Sequence, residues 1–145
     1  MKTLIIIRGA PGSGKSTLAL AIREQAYVFL DTWSVAICEA DNFFMVNGAY
    51  KYVPHLVPAA HEWCQRQVQA VMKEAFPMII VSNTSTVRSR LQPYFDLAKE
   101  HGYQVQQIVC FADFGSVHNV PKDTVDKMKE QLRNSLILEL HNKEL

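Results

Sequence analysis

Several features that define protein classes are scarce in this chain. Its three cysteines, Cys38, Cys64 and Cys110, are odd in number and far apart, with no CxxC pair and no Cys/His cluster. That pattern excludes a disulfide framework and a zinc site, and the thiols are expected to be reduced and buried. No apolar run approaches the roughly 20 residues that a membrane span needs. The stretch from Lys2 to Ile7 is too short for a signal-peptide core before Arg8. An excess of one charge is also missing. Fifteen Lys and Arg against fourteen Asp and Glu leave +1, so no strong overall field draws the chain to nucleic acid or to an anionic membrane. A local basic site remains compatible with that balance. The expectation is a soluble, cytoplasmic protein with no membrane partner.

The 145 residues, 48% of them hydrophobic, suit one domain with a sizeable core. Thr3 to Ile7 is a β-branched and aliphatic run, as expected of a parallel strand buried on both faces, and glycine stops it at Gly9. From Lys15 to about Ala26, Leu18, Ala19, Ala21 and Ile22 recur at helical spacing. Val35 to Cys38 reads as a second strand, whereas Phe29 to Ser34 fits no element and Tyr50 to Pro58 reads as loop. An amphipathic helix starts near Pro58, runs through His61 to Phe76 and ends at Pro77. Met78 to Val81 is a third strand, Arg88 to His101 a helix stopped by Gly102, and Tyr103 to Phe111 a fourth strand. Pro121 sits at the first turn of a last helix reaching about Arg133. Strands alternating with helices predict an α/β protein with a three-layer α/β/α architecture and a mostly parallel sheet. The expected division is a single domain over residues 1–134 and a C-terminal tail over 135–145. In that tail Leu136-Ile137-Leu138 could pack on the domain or make an oligomer contact, packing being the expected use.

Ligands of such sheets bind beyond the carboxyl ends of the strands. Three polar clusters, Gly9 to Thr17, Asp41-Asn42 and Asn83-Thr84-Ser85, each follow a predicted strand and so converge on one rim. The first, Gly9-Ala10-Pro11-Gly12-Ser13-Gly14-Lys15-Ser16, satisfies G-x-x-x-x-G-K-[ST] between a strand and a helix. Its glycines let successive backbone N–H groups face an anion, and the following helix adds the positive end of its dipole. Lys15 would then reach the β- and γ-phosphates of ATP, Ser16 would place its hydroxyl on Mg²⁺, and Thr17 could reach the α-phosphate.

Phosphoryl transfer also needs a base and cations. Asp41, at the end of the second strand, can face the γ-phosphate and accept a proton from an attacking hydroxyl. Asn83 can hydrogen-bond a metal-bound water but brings no charge. Arg88 and Arg90 follow near the same rim and could hold phosphates with bidentate forks. His118 lies in a loop, and His61, beside Trp63, is expected to pack. Phe43, Phe44, Tyr50 and Tyr52 either stack an acceptor base or form local core.

Five segments together carry a resemblance: Gly9 to Ser16, Glu39-Ala40-Asp41-Asn42-Phe43-Phe44, Ala60-His61-Glu62-Trp63-Cys64, Ile79 to Thr84, and Val117-His118-Asn119-Val120-Pro121. In order and spacing the chain resembles the P-loop polynucleotide kinase family, the 5′-hydroxyl kinases typified by the bacteriophage enzyme, with its small phage and NEDD-binding-protein relatives. The resemblance implies a P-loop NTPase fold, an ATP- and Mg²⁺-dependent kinase, Asp41 as general base and, more remotely, Val120 beside the adenine. Three departures stand against it. Phe44 replaces an arginine, Asn83 replaces an aspartate, and the short segment from Cys110 to Asn119 lacks the family's lid arginine. Such an arginine can contribute about 10³ to 10⁵ in rate, so either Arg88, Arg90, Lys122 or a partner protein supplies the cation or the chain turns over slowly. The expected activity is transfer of the γ-phosphate to a nucleic acid 5′-hydroxyl. The alternatives are a nucleotide or other small-molecule kinase and an ATP-binding, slow ATPase module that regulates a partner.

Overall fold

The computed structural model describes residues 1–30, 33–115 and 118–142. Strand β1 (Thr3–Gly9) leads into α1 (Lys15–Phe29) and β2 (Val35–Cys38). A 3-10 turn over Ala40–Phe44 and a hairpin of β3 (Met45–Val46) and β4 (Ala49–Tyr50) follow. After a short 3-10 turn at Pro54–Leu56 come α2 (Val57–Lys73), β5 (Met78–Asn83), a 3-10 turn at Arg88–Arg90, α3 (Gln92–His101), β6 (Gln104–Cys110) and α4 (Lys122–His141).

The main sheet has the order β2-β5-β1-β6 with every pairing parallel, Ile5 lying opposite Ile80 on one side and Gln106 on the other. Because side chains alternate along a strand, β1 feeds two cores. Leu4 and Ile6 pack with Ile79, Val81 and the inner faces of α2 and α3 around Cys64, Val68 and Tyr94. Ile5 and Ile7 pack with Ile80 and with Ala19 and Ala26 of α1. Helices on both faces of a parallel sheet make the expected α/β/α layering. The consequence for the site is geometric. The carboxyl ends of β1, β2 and β5 deliver Gly9, Glu39 and Thr84 to one rim, where the Gly9 amide donates to the Thr84 carbonyl at 3.2 Å.

Several boundaries differ from expectation. The loop expected from Tyr50 begins as a hairpin strand, because Asn47 (φ 51°) and Gly48 (φ 81°) form the left-handed two-residue turn that joins antiparallel strands. Helix α2 stops at Lys73, four residues before Pro77, where Ala75 adopts φ 57° and its amide returns to the Met72 carbonyl. Helix α1 runs on to Phe29; of the unassigned segment after it, Asp31 and Thr32 lie outside the described residues.

The last helix departs most. It continues past Arg133 to His141, with Pro121 capping it from outside. Its inward register is Val125, Leu132, Ser135 and Glu139, and half of that face is polar: Ser135 Oγ accepts from the Arg88 amide at 3.1 Å, and Glu139 binds Arg8 at 2.9 Å. Ile137 (54% exposed) and Leu138 (62%) therefore face outward, which corrects the expectation that they pack on the domain. Residues 143–145 lie outside the described residues, and among those described no helix is long and apolar enough to cross a membrane.

Candidate active site

The loop between β1 and α1 is shaped by two close approaches. A Cβ on Gly9 would collide with Ser13 Oγ and come within 2.8 Å of the Cys110 carbonyl oxygen. Gly14, at φ 90°, is the residue before the helix, and the Phe114 ring lies 3.0 Å from where its Cβ would stand. The Phe114 amide donates to the Gly12 carbonyl at 2.8 Å, so the segment after β6 lies against the loop. Helix α1 begins with no capping side chain and no acidic residue in its first turn, so its free N–H groups and dipole face the concavity uncancelled. Ser13 Oγ is buried there without a hydrogen-bond partner. A buried hydroxyl left unpaired beside free amides is what an anion-binding cradle presents before its ligand arrives.

Lys15 projects from the end of this loop and donates to the Ala10 carbonyl at 3.1 Å. Burial lowers its pKa, opposed by the negative potential of Asp41, Cys110 and Glu39. Ser16 and Thr17 are exposed in the first turn of α1. Glu39 leaves the end of β2 half-buried beside Ser16. Burial raises its pKa most; the Ser16 hydroxyl opposes this, Asp41 raises it further, and Lys15 and Ser82 lower it. Ser82 Oγ lies close enough to act on Glu39 but falls short of hydrogen-bond geometry. Glu39 is the candidate that sequence reasoning missed: it follows β2 directly, two positions before Asp41, and attention fell on the second carboxylate alone.

Asp41 stands in the 3-10 turn after β2, its side chain 60% exposed and each oxygen faced by a different ring. Tyr50 Oη lies 3.4 Å from Oδ1, and His118 Nε2 lies 4.0 Å from Oδ2. Burial first, then Asp41, pushes the Tyr50 phenol up to about 12. His61 also faces this side. Its pKa is lowered by burial first and then by Arg90, and raised by Asp41, so the helix position that packs this ring also leaves it within range of both charges.

Other expected site residues sit elsewhere. Arg88 is held over the Phe95 ring at 4.1 Å and donates to Gln92 at 3.1 Å, lining a groove of about 800 Å³ beside α4, so it is not brought to Asp41. Lys122 is exposed and paired with Asp126 at 3.0 Å. Asn83 is buried and its amide holds neighbouring elements: Oδ1 accepts from the Ala40 amide at 2.8 Å, and Nδ2 donates to Cys64 Sγ at 3.7 Å and Tyr94 Oη at 3.5 Å. Phe44, 4% exposed, is core and offers no face to a base, whereas Tyr52 is 54% exposed. Val120 is half-buried at the entry to α4, and Val117 lies outside the described residues. Among the described residues no three His, Cys, Asp or Glu side chains gather as a metal cluster.

A glycine-rich loop between a parallel strand and a helix N-terminus, with a lysine at its end and the carboxylates that follow β2, Glu39 and Asp41, on the same rim, is a nucleotide-binding P-loop in a kinase-like setting. Residues 4–117 match the AAA domain family AAA_33, and the chain belongs to that family. It is similar to NEDD4-binding protein 2 of Homo sapiens, 34% identical over 102 residues that cover 70% of this chain and 5% of that protein. It is also similar to 2′,3′-cyclic-nucleotide 3′-phosphodiesterase of Mus musculus, 32% identical over 108 residues, 72% of this chain and 23% of that protein. The chain thus spans less than a quarter of the length of either relative. Among solved structures its fold is similar to a chain of the Pnkp1/Rnl/Hen1 RNA repair complex, with a TM-score of 0.63 at 21% identity over 92% of this chain and 45% of that one.

Proposed function

We propose that this P-loop kinase-like domain transfers the γ-phosphate of ATP to a hydroxyl, and that the acceptor is the 5′-hydroxyl of a nucleic acid end. The observation that carries the reading is the placement of Asp41. Its carboxylate is exposed toward the acceptor side and close enough to Lys15 to raise that amine's pKa, so a base and a phosphate-binding cation share one rim.

The cradle suits the nucleotide, with free amides of α1, left-handed Gly12 and Gly14, and the unpaired Ser13 hydroxyl available to phosphate oxygens. Mg²⁺, when bound, supplies charge neutralisation between the phosphates; Ser16, with Glu39 behind it, is the set that would hold it. In the transfer the acceptor O–H bond breaks and its proton passes to Asp41. A bond forms from that oxygen to the γ-phosphorus, and the bond from the γ-phosphorus to the β–γ bridging oxygen breaks to leave ADP. Lys15 holds the migrating phosphoryl oxygens. Arg90, beside His61, is the arginine available to the acceptor side.

The test is transfer from γ-labelled ATP with Mg²⁺ to 5′-hydroxyl oligonucleotides, to mononucleotides and to no acceptor, with Lys15→Ala as control. Label on the oligonucleotide end, lost in the control, supports the reading. Label on mononucleotides alone moves the acceptor to a small molecule, and phosphate release alone, or ATP binding without transfer, replaces the kinase with a regulatory nucleotide module.

A further inference from the structure

Strand β6 ends the sheet, and among the described residues only β1 pairs with it. The Gln104 amide donates to the Lys2 carbonyl at 2.9 Å, so Gln104, Gln106, Ile108 and Cys110 turn their backbone groups toward β1. By alternation Val105, Gln107 and Val109 turn theirs outward, where no described strand receives them. Sheet edges are normally blunted by shortness, charge or proline. The opposite edge, β2, has four residues, but β6 runs for seven with neither a charged residue nor a proline from Gln104 to Cys110. An apolar shelf of α4 lies beside this edge. Lys129 reaches Asp113 at 2.8 Å and Arg133 lies over the Phe111 ring at 5.8 Å, so that side of the helix faces the end of β6. Helical spacing puts Leu136 and Leu140 on the same side. Leu140 is 70% exposed and Phe111 47%, with Leu136 half-buried between them and the domain.

We propose that β6 is the self-pairing edge of a two-fold dimer, in which a second copy of this chain adds its own β6 antiparallel. The strand is matched to itself about Gln107. Gln107 meets its symmetry mate, and Val105 meets Val109 in both directions, all as hydrogen-bonded pairs. Pairs of β-branched residues suit such a ladder, and an uncharged strand meets its copy without like-charge repulsion. Val105, Gln107, Val109 and Phe111 share the face on which Gln107 accepts from Arg8 beneath α4, so the shelves of the two copies lie alongside these pairs. A strip about 23 Å long and one chain wide is too little for the roughly 800 Å² that each partner of a stable interface buries, and the shelf adds the rest. Because the pairing is antiparallel, the two phosphate loops point to opposite ends of the joined sheet and both stay open. The inference does not rest on the kinase reading.

The test is sedimentation velocity of the full chain from micromolar to near-millimolar concentration, with hydrogen exchange at both ends of that range. Wild type is expected to pass from monomer to dimer. The Val105, Gln107 and Val109 amides should exchange fast when dilute and slowly when concentrated, while Gln106 and Ile108, already bonded to β1, change little. Gln106→Lys sets like charges diagonally across the axis, about 7–8 Å apart, and Leu140→Glu charges the shelf. Each should weaken association about tenfold or more. Both side chains are exposed, so the melting temperature of the dilute protein should stay in place. Mixing Gln106→Lys with Gln106→Glu should restore a mixed dimer. A wild type that stays monomeric throughout would overturn the pairing of copies and leave the edge to a strand of another chain. A dimer that Leu140→Glu weakens and Gln106→Lys does not, or one in which the three amides still exchange fast, would overturn the strand pairing.

Discussion

The Asn83 side-chain oxygen accepts a hydrogen bond from the Ala40 backbone amide at 2.8 Å, which ties the end of β5 to the turn that carries Asp41. Its amide nitrogen faces Cys64 and Tyr94, so one buried side chain joins β5, the Asp41 turn, α2 and α3. Replacing it leaves a buried backbone donor unpaired, at a cost of about 1–3 kcal/mol. Asn83→Ala should lower the melting temperature by about 2–4 °C for each kcal/mol lost. Transfer should fall more than ATP binding does, since the Asn83 side chain bonds the Asp41 turn while the loop is tied to β5 through the backbone of Thr84. Equal losses in both would mean that Asn83 supports the whole rim.

Glu39 is kept half-buried at a cost. Its pKa is raised, by burial first, so the neutral form is favoured by folding. The sign follows: its contribution is fully present below the ordinary glutamate value of 4.5 and is lost as pH rises through the folded value. At pH 7 to 8 Glu39→Gln should therefore raise the melting temperature of the nucleotide-free protein, with the gain shrinking as pH falls. The same substitution should weaken Mg²⁺-dependent ATP binding. A variant that is less stable at pH 8 would show that Ser16, Lys15 and Ser82 outweigh burial.

Arg8 is fully buried at the end of β1, immediately before the loop, and its guanidinium binds Glu139 of α4, Gln107 and the Ser85 carbonyl. Removing one partner strands the other, and breaking a buried pair typically costs about 3–5 kcal/mol. Since Glu139 keeps some contact with solvent, Glu139→Gln should fall at or below the lower end of that range, and Arg8→Met combined with Glu139→Leu should recover much of it in a double-mutant cycle. Burial pushes the Glu139 carboxyl up, but hydrogen bonds from Arg8 and Ser135 outweigh it and the pKa is lowered. Its stabilisation is thus present above the ordinary value of 4.5 and lost as pH falls through the lower, folded value. Acid titration of unfolding should show wild type and Glu139→Gln converging below pH 4.5.

Arg8 and Glu139 also show where sequence reading ends. Buried strands announce themselves as apolar runs, which is why β1, β2 and β5 and the rim they create were legible, and the glycine loop carries its own spacing. Partners 131 residues apart carry no local signal, so Arg8 reads as the charge that ends an apolar stretch rather than as the anchor of the last helix. The end of α4 was lost for the same reason: hydrophobic periodicity cannot register a face on which Ser135 and Glu139 do the docking. The β3–β4 hairpin was a different failure. Asn47-Gly48 is a local turn signal, but two-residue strands around it are too short to show alternation.

The closeness of the loop makes Gly9 a test of the cradle. A methyl group there meets the Ser13 hydroxyl, which can rotate, and the Cys110 carbonyl at 2.8 Å, which cannot move without β6. Gly9→Ala should cost about 1–3 kcal/mol in stability through overpacking. It should also weaken ATP binding about tenfold or more, a loss of some 1.4 kcal/mol, because the amides that face the phosphates shift with the loop. Titration of a fluorescent ATP analogue alongside a thermal melt separates the two. Normal affinity in a destabilised variant would mean that the strain is relieved toward β6 rather than into the loop.

Asp41 provides the sharpest separation of binding from chemistry. Asp41→Asn keeps the shape and can still meet the Tyr50 hydroxyl, but it cannot take a proton from the acceptor. Loss of general-base catalysis should lower kcat by about 10² to 10⁴. ATP affinity should be largely retained, because Lys15 and the loop remain. Removing the negative charge also removes one of the influences that raise the Lys15 pKa, so that amine should titrate lower in the variant. If Asp41 is the base, raising pH in steps should leave the variant's residual rate far below wild type while the hydroxyl acceptor stays protonated. A variant whose turnover matches wild type at every pH would remove Asp41 from the proton transfer and leave Glu39 as the carboxylate to examine.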